Sequence, residues 1–89
     1  MIFLIIERFI PEKVKELYEL LDREGRQLPD GVKYINSWVD MDLETCYQIM
    51  EAENVGKIQE WLIRWQDFAE FEIIPVIDST TAKDIILSR

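Results

Sequence analysis

The centre of the chain reads VKYINSWVD over residues 32–40 and ETCYQIME over residues 44–51. Both segments alternate in polarity and are rich in β-branched and aromatic residues, which is typical of strands in a packed sheet. The connection between them, Asp40-Met41-Asp42, is short, so the second strand turns back alongside the first. The sequence therefore predicts a β-hairpin at its centre, with the other elements arranged on either side of it.

A helix is predicted before the hairpin, beginning at Pro11 and ending at Gly25. Proline is tolerated in a first helical turn because its missing N–H would have no partner there. Apolar residues then recur at positions i, i+3, i+4 and i+7, which places them in one buried stripe; they are Val14, Leu17, Tyr18 and Leu21. The Leu-Pro-Asp-Gly sequence of residues 28–31 predicts a turn into the hairpin.

A second helix is predicted after the hairpin, with Asn54 as its N-cap. Its apolar face comprises Val55, Ile58, Trp61, Leu62, Trp65 and Phe68. Near the end of the chain, Asp78 and Ser79 can cap a short terminal helix, whose apolar residues are Ala82, Ile85 and Ile86.

Strands are predicted outside the two main helices, over residues 1–9 and 70–77. The first strand is apolar at both alternating sets of positions, so both of its faces should be covered. Pro75 has no N–H to donate, which assigns the last strand to a sheet edge or a bulge. The order is β-α-β-β-α-β with a short C-terminal helix. We therefore expect a single ferredoxin-like α+β domain over residues 1–89, with one antiparallel sheet and both helices on one face.

The other face of this sheet has no helix to cover it. The last strand carries Phe71, Ile73 and Ile77 on one side and Ile74 and Val76 on the other. An uncovered apolar surface of this size is typical of a partner site. We expect a two-fold homodimer that packs sheet against sheet, the arrangement of a dimeric α+β barrel. The alternative is that the terminal helix folds back over the sheet.

The composition disfavours several classes of function. Ten lysine and arginine residues stand against 18 aspartate and glutamate residues, giving a net charge of −8, so we expect no binding to nucleic acid or an anionic membrane surface. The sequence has no histidine and one cysteine. It therefore lacks the commonest acid–base group at neutral pH, an intramolecular disulfide and every cysteine-rich metal pattern. We expect neither a metal nor a cofactor.

The apolar amino terminus ends at Glu7-Arg8 and has no basic region before it. A signal peptide needs a longer apolar stretch, and a membrane span needs roughly 18 apolar residues. We therefore expect a cytoplasmic protein, and the single cysteine, Cys46, agrees with this location.

Polar and aromatic residues stand where the hairpin strands should be buried. On the first strand, strict alternation places Tyr34, Asn36 and Trp38 on one side and Ser37 on the other. On the second strand, it places Cys46, Gln48 and Met50 on one side and Tyr47 on the other. Because buried polar groups need partners, these side chains either satisfy one another or line a pocket. The structural alternatives are core amides for Asn36 and Gln48, core positions for Trp38, Trp61 and Trp65, and an inert thiol for Cys46.

The charged candidates are Glu7-Arg8, Arg26, Glu51 and Glu72. Arg8 and Glu72 can pair across adjacent strands in a structural role. If they meet instead in a cleft under the helices, a carboxylate of raised pKa can act as a base and an arginine can hold an anion. No phosphate loop, zinc spacing or nucleophile elbow is present in the sequence, so no catalytic residue is assigned.

Several strings of the sequence are more specific than a generic βαββαβ domain requires. They are Glu7-Arg8-Phe9, Gly25-Arg26, Leu28–Tyr34, Ser37–Asp40, Cys46–Glu51, Trp61, Trp65–Asp67, Phe71-Glu72 and Pro75-Val76. These strings resemble the DUF3303 family of small bacterial proteins of unknown function, and the likeness covers nearly the whole chain. The resemblance implies a ferredoxin-like domain of the dimeric α+β barrel group. It implies no known activity and no catalytic residue.

The wider dimeric-barrel group includes cofactor-independent monooxygenases, muconolactone-isomerase-like enzymes and haem proteins, which offer analogy only. The missing histidine weakens a haem role. We expect a homodimer that binds a small polar or aromatic metabolite between sheet and helices. The alternative is a cofactor-independent oxygenase or isomerase acting on a small aromatic or enol substrate. The candidate ligand-binding residues are Arg8, Arg26, Tyr34, Asn36, Trp38, Tyr47, Gln48 and Glu72.

Overall fold

Four antiparallel strands form one sheet in the order β2-β3-β1-β4. In the computed structural model, which describes residues 1–88, the strands are β1 (Ile2–Phe9), β2 (Lys33–Val39), β3 (Thr45–Glu51) and β4 (Ala69–Val76). The predicted ferredoxin-like α+β fold is confirmed. Pro75 lies on the edge strand β4, where its missing N–H costs the sheet no hydrogen bond.

The helices are α1 (Val14–Glu24), which follows a 3-10 turn at Pro11–Lys13, α2 (Val55–Leu62) and α3 (Ser79–Leu87). α1 ends where Gly25 adopts a φ of 70°, a left-handed conformation that favours glycine. The side chain of Asn54 caps α2 by accepting a hydrogen bond from the backbone N–H of Lys57. Asp78 caps α3 in the same way through the N–H of Thr81, and both caps agree with the sequence prediction.

The core lies between α1, α2 and one face of the sheet, which we call the helix-covered face. On β1 this face presents alternate residues, of which Phe3 and Ile5 are fully buried. Leu17 of α1 and Ile58 and Trp61 of α2 pack over them in the same hydrophobic cluster. The centres of both apolar stripes are therefore buried as their spacing predicts, whereas Tyr18 and Val55, which the same spacing assigned to the buried faces, are 40% and 43% exposed.

The second helix is shorter than its apolar pattern indicates. α2 ends at Leu62, and the chain then tightens into turns in which the N–H of Trp65 donates to the carbonyl of Leu62 and the N–H of Phe68 donates to the carbonyl of Trp65. These three-residue steps keep Trp65 and Phe68 packed with the core. The apolar spacing therefore predicts correctly that Trp65 and Phe68 pack with the core, but the predicted continuous helix as far as Phe68 is wrong.

A β-bulge in β2 corrects the predicted grouping of its side chains. The register pairs Tyr34 with Met50 but Asn36 with Ile49, so Ile35 is an extra residue between them. An extra residue reverses the alternation. Tyr34 therefore lies on the same face as Ser37, and the prediction that Tyr34, Asn36 and Trp38 share one side is wrong.

The opposite sheet face, which we call the open face, is covered by no helix in the described part of the chain. Its residues are Ile2, Leu4, Ile6 and Arg8 of β1, Lys33, Asn36 and Trp38 of β2, Thr45, Tyr47, Ile49 and Glu51 of β3, and Glu70, Glu72, Ile74 and Val76 of β4. Trp38 is 58% exposed, so its predicted core position is wrong.

α3 does not fold back over the open face. It buries none of its residues, and Ile86 and Leu87 are 66% and 72% exposed. None of the helices within residues 1–88 is long and apolar enough to cross a membrane.

Candidate functional site

A cavity of about 240 Å³ lies between the helix-covered face and the helices. Both layers of the fold, the sheet and the helices, contribute to its lining. The lining residues are Glu7 of β1, Ser37 and Val39 of β2, Cys46 and Gln48 of β3, Leu17, Tyr18 and Leu21 of α1, Arg26 of the following loop, Trp61 of α2, and Trp65. The cavity therefore has apolar and aromatic walls with a few polar groups, the usual character of a small-molecule site.

Glu7 is a buried carboxyl group on the floor of the cavity. It follows Phe3 and Ile5 in the inward alternation of β1 and is 7% exposed. Gln48 lies on the neighbouring strand, and its Nε2 donates a hydrogen bond to Oε2 of Glu7 at 3.3 Å. Burial raises the pKa of Glu7 from 4.5 to about 7, although the positive charge of Arg26 acts in the opposite direction. The carboxyl can therefore gain or lose a proton near neutral pH.

The Cys46 thiol and the Tyr18 hydroxyl, which also line the cavity, are neutral at neutral pH. Burial raises the pKa of Cys46 to about 12, and the nearby Glu7 charge adds to this effect. The pKa of Tyr18 is also raised, first by burial and then by Cys46 and Glu7. Because the thiolate is the reactive form of cysteine, Cys46 is a neutral wall of the cavity rather than a nucleophile.

Arg26 brings a positive charge to the same cavity. Its guanidinium lies 3.6 Å from the ring centroid of Tyr34, a cation–π contact. One guanidinium nitrogen, Nη2, also donates to Oγ of Ser37 at 3.4 Å, and Ser37 shares a 2.6 Å hydrogen bond with the hydroxyl of Tyr34. This geometry depends on the bulge, since the bulge turns Tyr34 onto the helix-covered face beside Ser37.

The loop that carries Arg26 is held by two tryptophans. The indole N–H groups of Trp61 and Trp65 both donate to the backbone carbonyl of Arg26, at 2.9 and 3.0 Å. The side chain of Arg64 donates a hydrogen bond to the next backbone carbonyl, that of Gln27. Gln27 has a backbone φ of 56°, which residues other than glycine rarely adopt. Three side chains from one segment therefore fix the loop at the cavity.

The structure brings together some of the predicted site residues and separates others. Arg26 and Gln48 line the cavity, and Tyr34 packs on Arg26. The remaining candidates lie on the open face; they are Arg8, Asn36, Trp38, Tyr47 and Glu72. Arg8 and Glu72 form an exposed ion pair at 3.1 Å, which is the structural pairing across strands that the sequence predicts. Ligand binding by any of the candidates stays a prediction.

Sequence reasoning left Glu7 and Ser37 out of the candidate ligand-binding residues. Glu7 had a signal, because it is the one charged residue at an inward position of an otherwise apolar strand. The alternative considered for Arg8 and Glu72, a carboxyl of raised pKa near an arginine under the helices, does not occur at those two residues. This combination belongs to Glu7 and Arg26 instead. No group of three or more metal-ligating residues that could hold an ion occurs among residues 1–88.

The strand order, the two packed helices and the cavity between the layers define a ferredoxin-like α+β domain. The chain belongs to the family described as a domain of unknown function, DUF3303, whose family model matches residues 1–88. It is also similar to the structure titled "Crystal structure of antibiotic biosynthesis monooxygenase", with 18% identity and a TM-score of 0.50. That match covers 88% of this chain and 100% of the other chain, and at this identity it supports the fold alone. No protein of curated function matches the sequence.

Proposed function

We propose that this protein is a homodimer whose cavity binds a small polar or aromatic metabolite. The observation that carries the binding proposal is the cavity itself, where Glu7 and Arg26 face a space walled by Trp61 and Trp65. Binding sites typically combine apolar walls with a few placed polar groups. The two tryptophans also hold the loop in place, so the site needs little ordering when a ligand enters.

The cavity is large enough for a ligand with an aromatic ring. An engineered apolar cavity of about 150 Å³ accommodates benzene, and this cavity measures about 240 Å³. A single ring with one or two polar substituents therefore fits. Tyr18 lines the cavity and is 40% exposed, so the cavity opens to solvent beside this residue.

Phenol is a suitable probe of the cavity, with an expected Kd on the order of 0.1–1 mM. Ligand-observed NMR measures this affinity. Cys46→Met places a longer side chain in the cavity and should weaken phenol binding at least about fivefold, since the added atoms occupy the ligand's space. Thr45→Met is the matched control, because Thr45 is the neighbouring residue and faces the opposite side of β3. Equal phenol binding by the two variants would count against the cavity as the site.

The homodimer proposal rests on the open face and on α3. Monomeric soluble proteins rarely leave uncovered a contiguous apolar surface such as that formed across three strands by Ile2, Leu4, Ile6, Ile49, Ile74 and Val76. α3 also presents unburied apolar residues, among them Ile86 and Leu87. A second copy related by a two-fold axis presents the same surface to itself, so one contact can cover both open faces.

A charge in the middle of the open face should prevent association. The wild-type chain is expected at twice 10.7 kDa in light scattering, and Leu4→Asp is expected at the monomer mass, because the carboxylate would be buried unpaired at the interface. Ile63→Asp is the matched control, since Ile63 is 65% exposed and lies outside the sheet. A wild-type mass of 10.7 kDa at all concentrations would exclude the dimer.

The alternative is a cofactor-independent monooxygenase- or isomerase-like enzyme. Glu7 favours it, because a cavity carboxyl with a pKa of about 7 can take a proton from a ring hydroxyl or an enol. The phenol experiment in aerated buffer distinguishes binding from oxygenation. A binding protein returns phenol unchanged, whereas an oxygenase converts phenol and dioxygen to benzoquinone and water, with phenol supplying all the electrons, so dioxygen falls and quinone resonances appear. In the second case Glu7→Gln should abolish conversion and retain phenol binding.

A further inference from the structure

Arg26 is a cavity cation without an anionic partner in the described chain. Ion pairs among residues 1–88 join Arg8 to Glu72, Lys13 to Glu16 and Lys57 to Glu60. The side-chain partners of Arg26 are instead the neutral Tyr34 ring and the Ser37 hydroxyl. Arginine that lines a partly buried site usually pairs with a carboxylate or phosphate through its planar fork of donors.

Glu7 does not supply the missing negative charge. It lines the same cavity but forms no ion pair with Arg26 within the described residues, and its acceptor oxygen Oε2 bonds to Gln48 instead. The carboxyl is also only about half ionised at pH 7, because burial raises its pKa to about 7. The positive end of the cavity is therefore open to an anion from outside the chain.

We infer that the ligand of this cavity is a ring-bearing monocarboxylate, with its carboxylate on Arg26 and its ring between the sheet and the indoles of Trp61 and Trp65. This inference rests on the proposed binding function and adds the chemical class of the ligand. The hydroxyl of Ser37, which already bonds to Arg26, is a second donor for the carboxylate. The size of the cavity admits one ring beside the anionic group.

Positioning of Arg26 supports the same class of ligand. Its backbone carbonyl is held by Trp61 and Trp65, and its guanidinium is stacked on Tyr34. A pre-positioned arginine loses little side-chain entropy when it binds a carboxylate. The protein has a net charge of −8, so most of its surface repels anions. The positive charge of Arg26 attracts an anion to this cavity in particular.

Benzoate and benzamide test the inference, because they share ring and shape and differ in charge. The wild-type protein should bind benzoate about tenfold more tightly than benzamide, as expected for a charge-assisted contact. Arg26→Gln should reduce benzoate affinity to that of benzamide and change benzamide affinity less than about twofold. Arg8→Gln is the matched control, since it removes the same charge from the open face and should preserve the benzoate preference.

The outcomes distinguish this inference from the function on which it depends. Equal binding of benzoate and benzamide by the wild-type protein overturns the carboxylate preference and leaves ring binding intact. Failure to bind phenol, benzoate and benzamide overturns both. The wild-type ratio requires no variant, so it tests the carboxylate preference even if Arg26→Gln is poorly folded. A preference that survives in folded Arg26→Gln and disappears in Arg8→Gln places the anion on the open face and overturns the assignment to Arg26.

Discussion

Glu7→Gln is expected to be more stable than the wild-type protein at pH 8 and nearly equal to it at pH 5. The pKa of Glu7 is 4.5 in the unfolded chain and about 7 in the folded protein. Between these values the folded state binds a proton that the unfolded state has lost, so wild-type stability falls as the pH rises. Glutamine is neutral throughout and does not contribute this loss.

The expected size of the effect is about 3 kcal/mol, because each pKa unit corresponds to about 1.4 kcal/mol. The contribution is complete below pH 4.5, declines through the interval and is lost above about pH 7. Urea denaturation of both proteins at pH 5 and pH 8, at equal protein concentration, measures it. Gln48 can still donate to the amide oxygen of the new side chain, so the hydrogen bond at this position is preserved.

Glu72→Gln is the control for this experiment. Glu72 is half-exposed and pairs with Arg8 on the open face, so its removal should change the free energy of unfolding by less than about 1 kcal/mol. If the difference between Glu7→Gln and wild type is the same at pH 5 and pH 8, Glu7 does not titrate as its burial requires.

Trp61→Phe and Trp65→Phe are expected to destabilise the protein by more in combination than the sum of their separate effects. Each single change removes one indole N–H and leaves the other to bond the carbonyl of Arg26. The double variant leaves that carbonyl without either donor, and an unsatisfied polar group costs about 1–3 kcal/mol beyond the lost packing.

We expect about 1–2 kcal/mol for each single change, and a loss in the double variant that exceeds their sum by about 1–3 kcal/mol. A double-mutant cycle by urea denaturation isolates the coupling, because the packing loss at each site cancels in the difference. The double variant should also lose the benzoate preference, since the loop that carries Arg26 is no longer held at the cavity. Additive free energies would show that the shared carbonyl does not couple the two indoles.

The sequence was most informative where the signal is local. The apolar spacing of Val14, Leu17 and Leu21 identified α1, and the hairpin pattern identified β2 and β3 within a residue or two of their observed ends. Asn54 and Asp78 were identified as caps because such side chains bond backbone N–H groups only a few residues away. These features depend on neighbours in the sequence, so the order of the elements was predictable.

The candidate site was less predictable because its members come from distant parts of the chain. Alternation alone could not locate the bulge at Ile35, which moves Tyr34 to the side of Arg26 and leaves Trp38 exposed. The end of α2 at Leu62 was also missed, since the following turns maintain the same buried face as a helix. Pairing partners and turn geometry are properties of the folded chain.

The element order, the ferredoxin-like class and the acidic charge follow from the sequence alone, because periodicity, capping and composition act over a few residues or over the whole chain. Which carboxyl and which arginine share the cavity depends instead on how the chain packs. Glu7 and Arg26 are separated by α1 in sequence and meet because β1 lies at the centre of the sheet while the indoles of Trp61 and Trp65 fix the loop beside it. The raised pKa of Glu7 has the same origin, since burial is set by the packing of the layers around it.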